Sequence, residues 1–421
     1  MDLEKSLNKL YSLHTIGIKL GLDNIRNFLT LLANPQNKIK TIHIAGSNGK
    51  GSTAAFTASI LQEMKYKVGL YTSPHFVRFN ERIKINGKEI PDEVIAKFIA
   101  KYEQQIDQFK LTFFEVTTAM AFQYFHEEKV DYAVIETGVG GRLDATNLVN
   151  PISAIITSIS LEHTEILGDT IKKIAEEKAG IIKDSINVFM GKIPEKAEFV
   201  IEEKCSQQNC ELYKLKDYII EKDNSLELYT EELELDEWTM PLKGKYQKYN
   251  AALAALAVSK SLDNDNFRVI EHGIKNVVKN TGLQGRYEFF NNKPDIIFDS
   301  AHNPEGITNF LTEFNQDKSK YSNSTLLFGV MKDKAIKEML TLLRDSFEKI
   351  LITDIDYERA CKISELEKIA AEINLNVNSV TNPGKYVAAF KEENPSKCLV
   401  VLGSMYLLGA IKTDLERIKI S

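Results

Sequence analysis

The stretch HIAGSNGKGST, residues 43–53, limits what this chain can fold into more than any other. TIHIA is rich in β-branched residues and reads as a strand, GSNGKGS as a glycine-rich turn, and STAAFTASILQEM as a helix. That order is what a phosphate cradle requires, because glycines let backbone N–H groups converge on phosphate oxygens at a helix N-terminus. The spacing departs from G-x-x-x-x-G-K-[ST]: Ile44 stands where the first glycine belongs, and Gly51 separates Lys50 from Ser52. A chance glycine turn is the alternative. The order of elements favours a variant phosphate loop, with Lys50 supplying a full charge and Ser52 reaching a magnesium ion.

If that loop is real, the chain around it should be an α/β sheet, and the pattern agrees. Short β-branched runs alternate with helical periods: VGLYT, a long polar loop, DYAVIE (131–136) and PISAIITSI (151–159), with helices near 92–108, 113–127 and 170–179. Residues 211–240 alternate in shorter segments and read as added antiparallel strands, after which YNAALAALAVSKSL reads as a closing helix. A second alternating series, DIIFDS, STLLFGV, KILIT and CLVVLGS, follows NTGLQGRYEFF. The expected organisation is a nucleotide-binding domain over 1–282, with a parallel sheet and a small antiparallel part, then a smaller Rossmann-like α/β domain over 286–421.

Composition narrows the class. In 421 residues, 43% are hydrophobic and 27% charged, which supports a sizeable folded core. The net charge of -6 argues against a nucleic-acid-wrapping protein, while leaving room for a local basic groove. Cys205, Cys210, Cys361 and Cys398 lack zinc-site spacing and are too sparse for a disulfide scaffold. No signal-like N-terminus and no long apolar run is present, so a cytoplasmic protein without a membrane segment is expected.

In open parallel sheets the ligand meets loops at the carboxyl ends of strands. Glu136 ends DYAVIE before TGVGGRLDATN and reads either as a hard oxygen ligand for Mg²⁺ or as a solvated strand-end carboxylate. His163 lies beyond PISAIITSI and is as readily structural as ligating. Lys178, in AEEKAGI, is by default a surface charge. Ser73, after VGLYT, offers a hydroxyl, and Ser73–Pro74 is a candidate cis bond. DSAHNPEG places Asp299, His302 and Asn303 at a strand-to-helix turn, and Arg286, at the domain junction, fits a γ-phosphate clamp or an interdomain salt bridge.

Taken in order, LGLDNI, HIAGSNGKGS, YTSPH, FFEVTTAMAF, VIETGVGGRLDATN, ISLEHTEILGDTIKKIAEEKAGIIK, YQKYNAALA, GRYE, DSAHNPEG, FGVMKDK and GSMYLLG resemble the folylpolyglutamate synthase and dihydrofolate synthase family, of the bacterial bifunctional type, among the Mur-ligase-like ATP-dependent amide ligases. The resemblance covers nearly the whole chain. It accounts for Gly51, since the family's loop has this extra glycine, and it implies nucleotide binding by Gly46, Ser47, Asn48, Gly49, Lys50, Gly51 and Ser52. It further implies two Mg²⁺ sites served by Ser52, Ser73, Glu136 and His163, a carbamate on Lys178, and adenine-side positions at Gln247 and Asn250. Arg286, Asp299 and His302 match nucleotide-contacting positions of the second domain, and a monovalent cation is also compatible. Departures are small: Ser47 for threonine, Ala335 after MKDK for aspartate, and Met405 for leucine.

The implied reaction is ATP-driven amide formation between a pterin-containing acid, a reduced folate or dihydropteroate, and L-glutamate. Catalytic roles fall to Lys50, Glu136, His163, Lys178 and Arg286, in a chain expected to be monomeric. Two rivals are weighed. A muramyl-peptide ligase would carry its own domain ahead of the phosphate loop, and the segment before Gly46 is too short for one. A regulatory ATPase would need no small-acid pocket. HTIGIKLGLDNI resembles the pterin-side segment of the dual enzymes.

Overall fold

A computed structural model describes residues 3–13, 21–222, 225–230, 234–235, 238–264 and 266–420. Residues 14–20, most of the segment read as pterin-side, lie outside the described residues.

The chain forms two compact units. The first comprises Met1–Ser73, Asn80–Pro241 and Gln247–Leu283; the second comprises Pro74–Phe79, Leu242–Tyr246 and Gln284–Ser421. Two short segments inside the span 1–282 thus pack with the second unit.

In the first unit an eight-stranded sheet contains β1 (Lys40–Ala45), β2 (Val68–Tyr71), β3 (Ile83–Ile85), β4 (Lys88–Glu89), β5 (Tyr132–Glu136), β6 (Ser153–Ile156), β7 (Asn187–Met190) and β8 (Glu211–Lys214), in the order β4-β3-β2-β5-β1-β6-β7-β8. From β2 to β8 every pairing is parallel, and β3 and β4 add an antiparallel edge. β1 is buried from its second residue onward, and β5 and β6 are buried throughout, as strands covered on both faces must be. Because the chain winds from β1 toward β2 and β5 on one side and toward β6 on the other, the sheet reverses its order at β1, where such folds bind ligands.

Two elements differ from the sequence pattern. The polar loop after VGLYT holds the β3–β4 hairpin. Glu211–Lys214 joins the main sheet in parallel rather than forming an antiparallel addition, because Leu212 and Tyr213 pair with Val188 and Phe189 of β7. The antiparallel part is β9 (Ile219–Glu221), β10 (Leu226–Tyr229) and β11 (Glu234–Leu235).

The second unit has a six-stranded sheet ordered β12-β13-β17-β14-β15-β16, from β12 (Glu288–Asn291), β13 (Asp295–Phe298), β14 (Asn323–Phe328), β15 (Lys349–Ile352), β16 (Asn378–Ser379) and β17 (Lys397–Leu402). Only β12 runs antiparallel. Alternation along the strands divides two cores: Ile297, Leu326, Phe328 and Val400 on one face, Ile296, Phe298, Leu327 and Val401 on the other. Each such buried side chain contributes about 1.5–3 kcal/mol. Among the described residues no helix is long and apolar enough to cross a membrane.

Candidate active site

The glycine loop leaves β1 and enters the helix Lys50–Glu63 through Gly49, whose φ of +83° is left-handed. A Cβ there would lie 2.4 Å from the Asn250 side-chain oxygen, so the left-handed conformation favours glycine and any other residue would also displace the Asn250 amide. Asn250 Nδ2 donates to Gln247 Oε1 at 3.2 Å, and Gln247 is fully buried. The structure therefore brings Gln247 and Asn250 against the loop.

The loop is fastened by the segment after β6. Thr157 Oγ1 donates to Asn48 O at 2.6 Å and Ser158 Oγ to the same oxygen at 3.1 Å, while the Asn48 N–H donates to Ser158 Oγ at 2.9 Å. Ser47 Oγ donates to Ser160 O at 3.2 Å and accepts from Ser160 N at 3.0 Å. Lys50 curls over the loop, its Nζ 2.7 Å from Gly46 O and 3.2 Å from Ser47 O. Among the described residues its hydrogen bonds run to backbone carbonyls, which do not neutralise an ammonium.

On the opposite flank of β1, Glu136 is 4% exposed and accepts the Ser73 N–H at 3.0 Å. Ser73–Pro74 is trans; among the described residues the cis bond is Lys293–Pro294. The loop after Glu136 is braced by Asp144, which takes the N–H groups of Gly138 and Val139, both at 2.9 Å, and by Thr146, whose hydroxyl donates to Asp144 at 2.5 Å and contacts His43 Nε2 at 2.8 Å. Burial lowers the His43 pKa to about 3, so it is neutral in service.

Lys178 is not a surface charge. Its side chain is 1% exposed and its Nζ lies 2.6 Å from Glu162 Oε1. The default reading fails because the helix Ile171–Ala179 packs its last turn inward, with Ala179 buried as well. Burial lowers Lys178 to about 8 although Glu162 opposes the shift. For Glu162 burial works upward, but Lys178 and Lys50 together bring it down to about 2. Glu162 was missed in the sequence; the signal was its place in SLEHTEIL beside His163. His163 itself precedes the short helix Thr164–Leu167 at φ +46°.

Whether these residues suit a divalent cation can be tested on their own atoms. Among the described residues no three His, Cys, Asp or Glu side chains converge as a cage. Mg²⁺ seldom uses one, preferring one or two carboxylates, hydroxyls, waters and substrate phosphates. The buried oxygens Ser52 Oγ, Thr53 Oγ1 and Thr137 Oγ1 have no hydrogen-bond partner. Such orphans around a glycine loop and a buried glutamate fit a cation-bound polyphosphate.

In the second unit, Asp299 is 4% exposed and accepts from Tyr287 N at 2.7 Å and Ala301 N at 2.8 Å. Burial raises its pKa, and Arg286 partly offsets this. His302 Nδ1 lies 2.9 Å from Ser300 O, which makes Nδ1 the donor. Asn303 caps the helix Pro304–Asp317 through Gly306 N at 2.7 Å. Arg286 Nη1 donates to Gly285 O at 3.0 Å.

Comparison with known proteins gives these sites a family. Residues 44–258 match the Mur ligase middle domain and 285–405 the Mur ligase glutamate ligase domain. The chain is 34% identical to the dihydrofolate synthase/folylpolyglutamate synthase of Bacillus subtilis, over 95% of this chain and 96% of that one. It superposes on E. coli FolC in complex with DHPP and ADP with a TM-score of 0.87 at 28% identity, covering 100% of this chain and 99% of that one. A Yersinia pestis bifunctional folylpolyglutamate synthase/dihydrofolate synthase complexed with AMPPNP and Mn gives a TM-score of 0.87 at 27% identity, covering 99% and 98%. With both Mur ligase domains matched and a one-third-identical relative aligned along nearly its whole length, the chain belongs to the folylpolyglutamate synthase and dihydrofolate synthase family of ATP-dependent ligases.

Proposed function

We propose that this chain joins L-glutamate to reduced folates, and to dihydropteroate, at the expense of ATP. The observation that supports it most is the glycine loop whose lysine is held only by carbonyls, beside the buried Glu136 and orphaned Ser52 hydroxyl, in a chain of this family.

A carboxylate is a poor electrophile. A carboxylate oxygen of the acid attacks the γ-phosphorus, breaking its bond to the bridging oxygen and releasing ADP; the glutamate amine then attacks the acyl phosphate, loses a proton, and the tetrahedral intermediate expels phosphate. Lys50 exchanges the carbonyls of Gly46 and Ser47 for phosphate oxygens, and loop N–H groups add further donors. Gln247 and Asn250 border the adenine side. Arg286 meets the γ-phosphate, with Asp299 and His302 shaping the turn around it. Mg²⁺, carried through Ser52, Ser73 and Glu136 with His163 at a second site, would neutralise charge on the phosphoryl group.

A carbamate on Lys178 would turn the attraction to Glu162 into repulsion, so it would persist only with a cation between them. In ¹³C-bicarbonate, a carbamate resonance that appears with Mg²⁺ and is absent from Lys178→Arg is the expected result; no resonance in either protein removes this part of the reading. The protein is proposed to act in the cytoplasm as a monomer.

The deciding experiment is mass-resolved ligation with ATP, Mg²⁺ and L-glutamate, offering dihydropteroate and tetrahydrofolate separately. Product from both establishes the dual enzyme, and product from tetrahydrofolate alone a tail-extending synthase. ATP turnover with neither acid elongated would overturn the folate reading.

A further inference from the structure

The helix Met405–Ile420 carries a half-buried cation that the phosphate chemistry leaves unused. Lys412 is on that helix, its side chain only 11% exposed. Its Nζ donates to Gln284 Oε1 at 2.5 Å and to Glu288 Oε1 and Oε2 at 2.9 and 3.0 Å. The rings of Phe76, Phe290 and Phe298 surround it, their centroids 5.3, 5.9 and 5.8 Å from Nζ. All of these residues belong to the second compact unit. Aromatic faces and a bidentate carboxylate hold this ammonium in one place.

What Lys412 holds in turn is the backbone beside Arg286. Glu288 Oε2 accepts the Gly285 N–H at 2.7 Å, and Gly285 O accepts from Ser300 N at 3.1 Å. Gly285 and Tyr287, on either side of Arg286, are both left-handed, with φ of +64° and +47°. A Cβ at position 285 would come within 2.5 Å of the Phe76 ring. Left-handed backbone at a tyrosine is costly and persists only where neighbours fix it. Here the neighbours are Asp299, on Tyr287 N at 2.7 Å, and Glu288, on Gly285 N. Without the ammonium, Glu288 would turn to water and release the Gly285 N–H.

We propose that Lys412 is a positioning residue for Arg286: through Glu288 it fixes the Gly285 turn and so the direction of the guanidinium. The inference rests on the reading of Arg286 as the γ-phosphate cation. On that reading Lys412 and Glu288, which are bonded to each other and to the Gly285 turn, should act only through that arginine.

A double-mutant cycle on the ligation assay tests it, with kcat and the KM for ATP measured for Lys412→Met, Arg286→Ala and the double variant. A charge-assisted hydrogen bond is worth enough that Lys412→Met should lower kcat about tenfold, with a smaller change in KM. In the Arg286→Ala background the same change should cost less than about twofold. Lys412→Arg, which keeps the cation, should restore most of the rate. Equal losses in both backgrounds, or an unchanged kcat in Lys412→Met, would overturn the inference. Should Lys412→Met not fold, Glu288→Gln takes its place in the cycle and is judged by the same criterion. Full activity in Arg286→Ala would instead overturn the clamp reading and the inference with it, whereas a large loss there with an additive Lys412 loss removes the inference alone.

Discussion

The Gly46–Lys50 loop is held in place by neutral hydroxyls and carbonyls, while the Gly285–Tyr287 turn is held by two carboxylates and an ammonium. Each choice has an electrostatic reason. A loop that must present several N–H groups and one lysine to a polyanion would lose its field if carboxylates braced it, so Thr157, Ser158 and Ser47 do the bracing. The turn presents a single arginine, and its carboxylates are occupied by backbone N–H groups, which leaves the guanidinium bonded only to Gly285 O. The first support is redundant and weak bond by bond; the second is concentrated in a few strong pairs. Single substitutions should therefore do little around the glycine loop unless they reach Lys50, and more around the turn.

Lys50→Met tests the loop at its one irreplaceable point. It removes the only full charge of the loop and leaves the hydroxyl bracing intact. We expect kcat to fall by about 10³-fold, comparable to the loss of a transition-state donor, with the thermal midpoint unchanged within about 2 °C. A variant retaining a tenth of the activity would show that the loop N–H groups suffice and that the lysine is not what the loop is built to present.

The Lys178–Glu162 pair is a buried charged pair in the first unit, and the same comparison sharpens on it. With 1% and 9% of the side chains exposed, removing one partner leaves a buried unpaired charge. Lys178→Met should cost about 3 kcal/mol in urea unfolding without ligands, and replacing both residues, Lys178→Met with Glu162→Leu, should recover most of that. A Lys178→Met protein as stable as the parent would mean that Glu162 reaches water when its partner is gone.

The contrast between the regions also explains what could be read from the sequence. The glycine loop, β1, β5 and the strands of the second unit were legible because their signals are local: β-branched runs, a glycine cluster, a helix behind it. The place of Glu136 at a strand end and of Ser73 just beyond one was legible because each follows a short apolar strand run. The burial of Lys178 was not, since AEEKAGI looks like a solvated helix face until a tertiary partner, Glu162, is known. The strand Glu211–Lys214 was misread because its partly exposed residues are those of an edge, and edge position is the same for parallel and antiparallel strands. Lys412 gave no signal at all: it stands more than a hundred residues from Glu288, in a helix that reads as ordinary.

The smallest effect is expected where the hydroxyls double up. Asn48 O accepts from both Thr157 Oγ1, at 2.6 Å, and Ser158 Oγ, at 3.1 Å. Thr157→Val keeps the shape and removes one donor, so the carbonyl still has a partner and the loss should be that of one neutral bond, about 0.5–1.5 kcal/mol. Because Lys50 is not bound by either hydroxyl, the change should appear as a KM for ATP raised about threefold, with kcat held. Ser158→Ala also takes away the acceptor of the Asn48 N–H and should cost more than Thr157→Val, whereas the two together leave Asn48 O without either donor and should cost more than the sum of the singles. Strict additivity in that cycle would mean the two bonds do not substitute for one another, and the redundancy that separates this loop from the Arg286 turn would be lost.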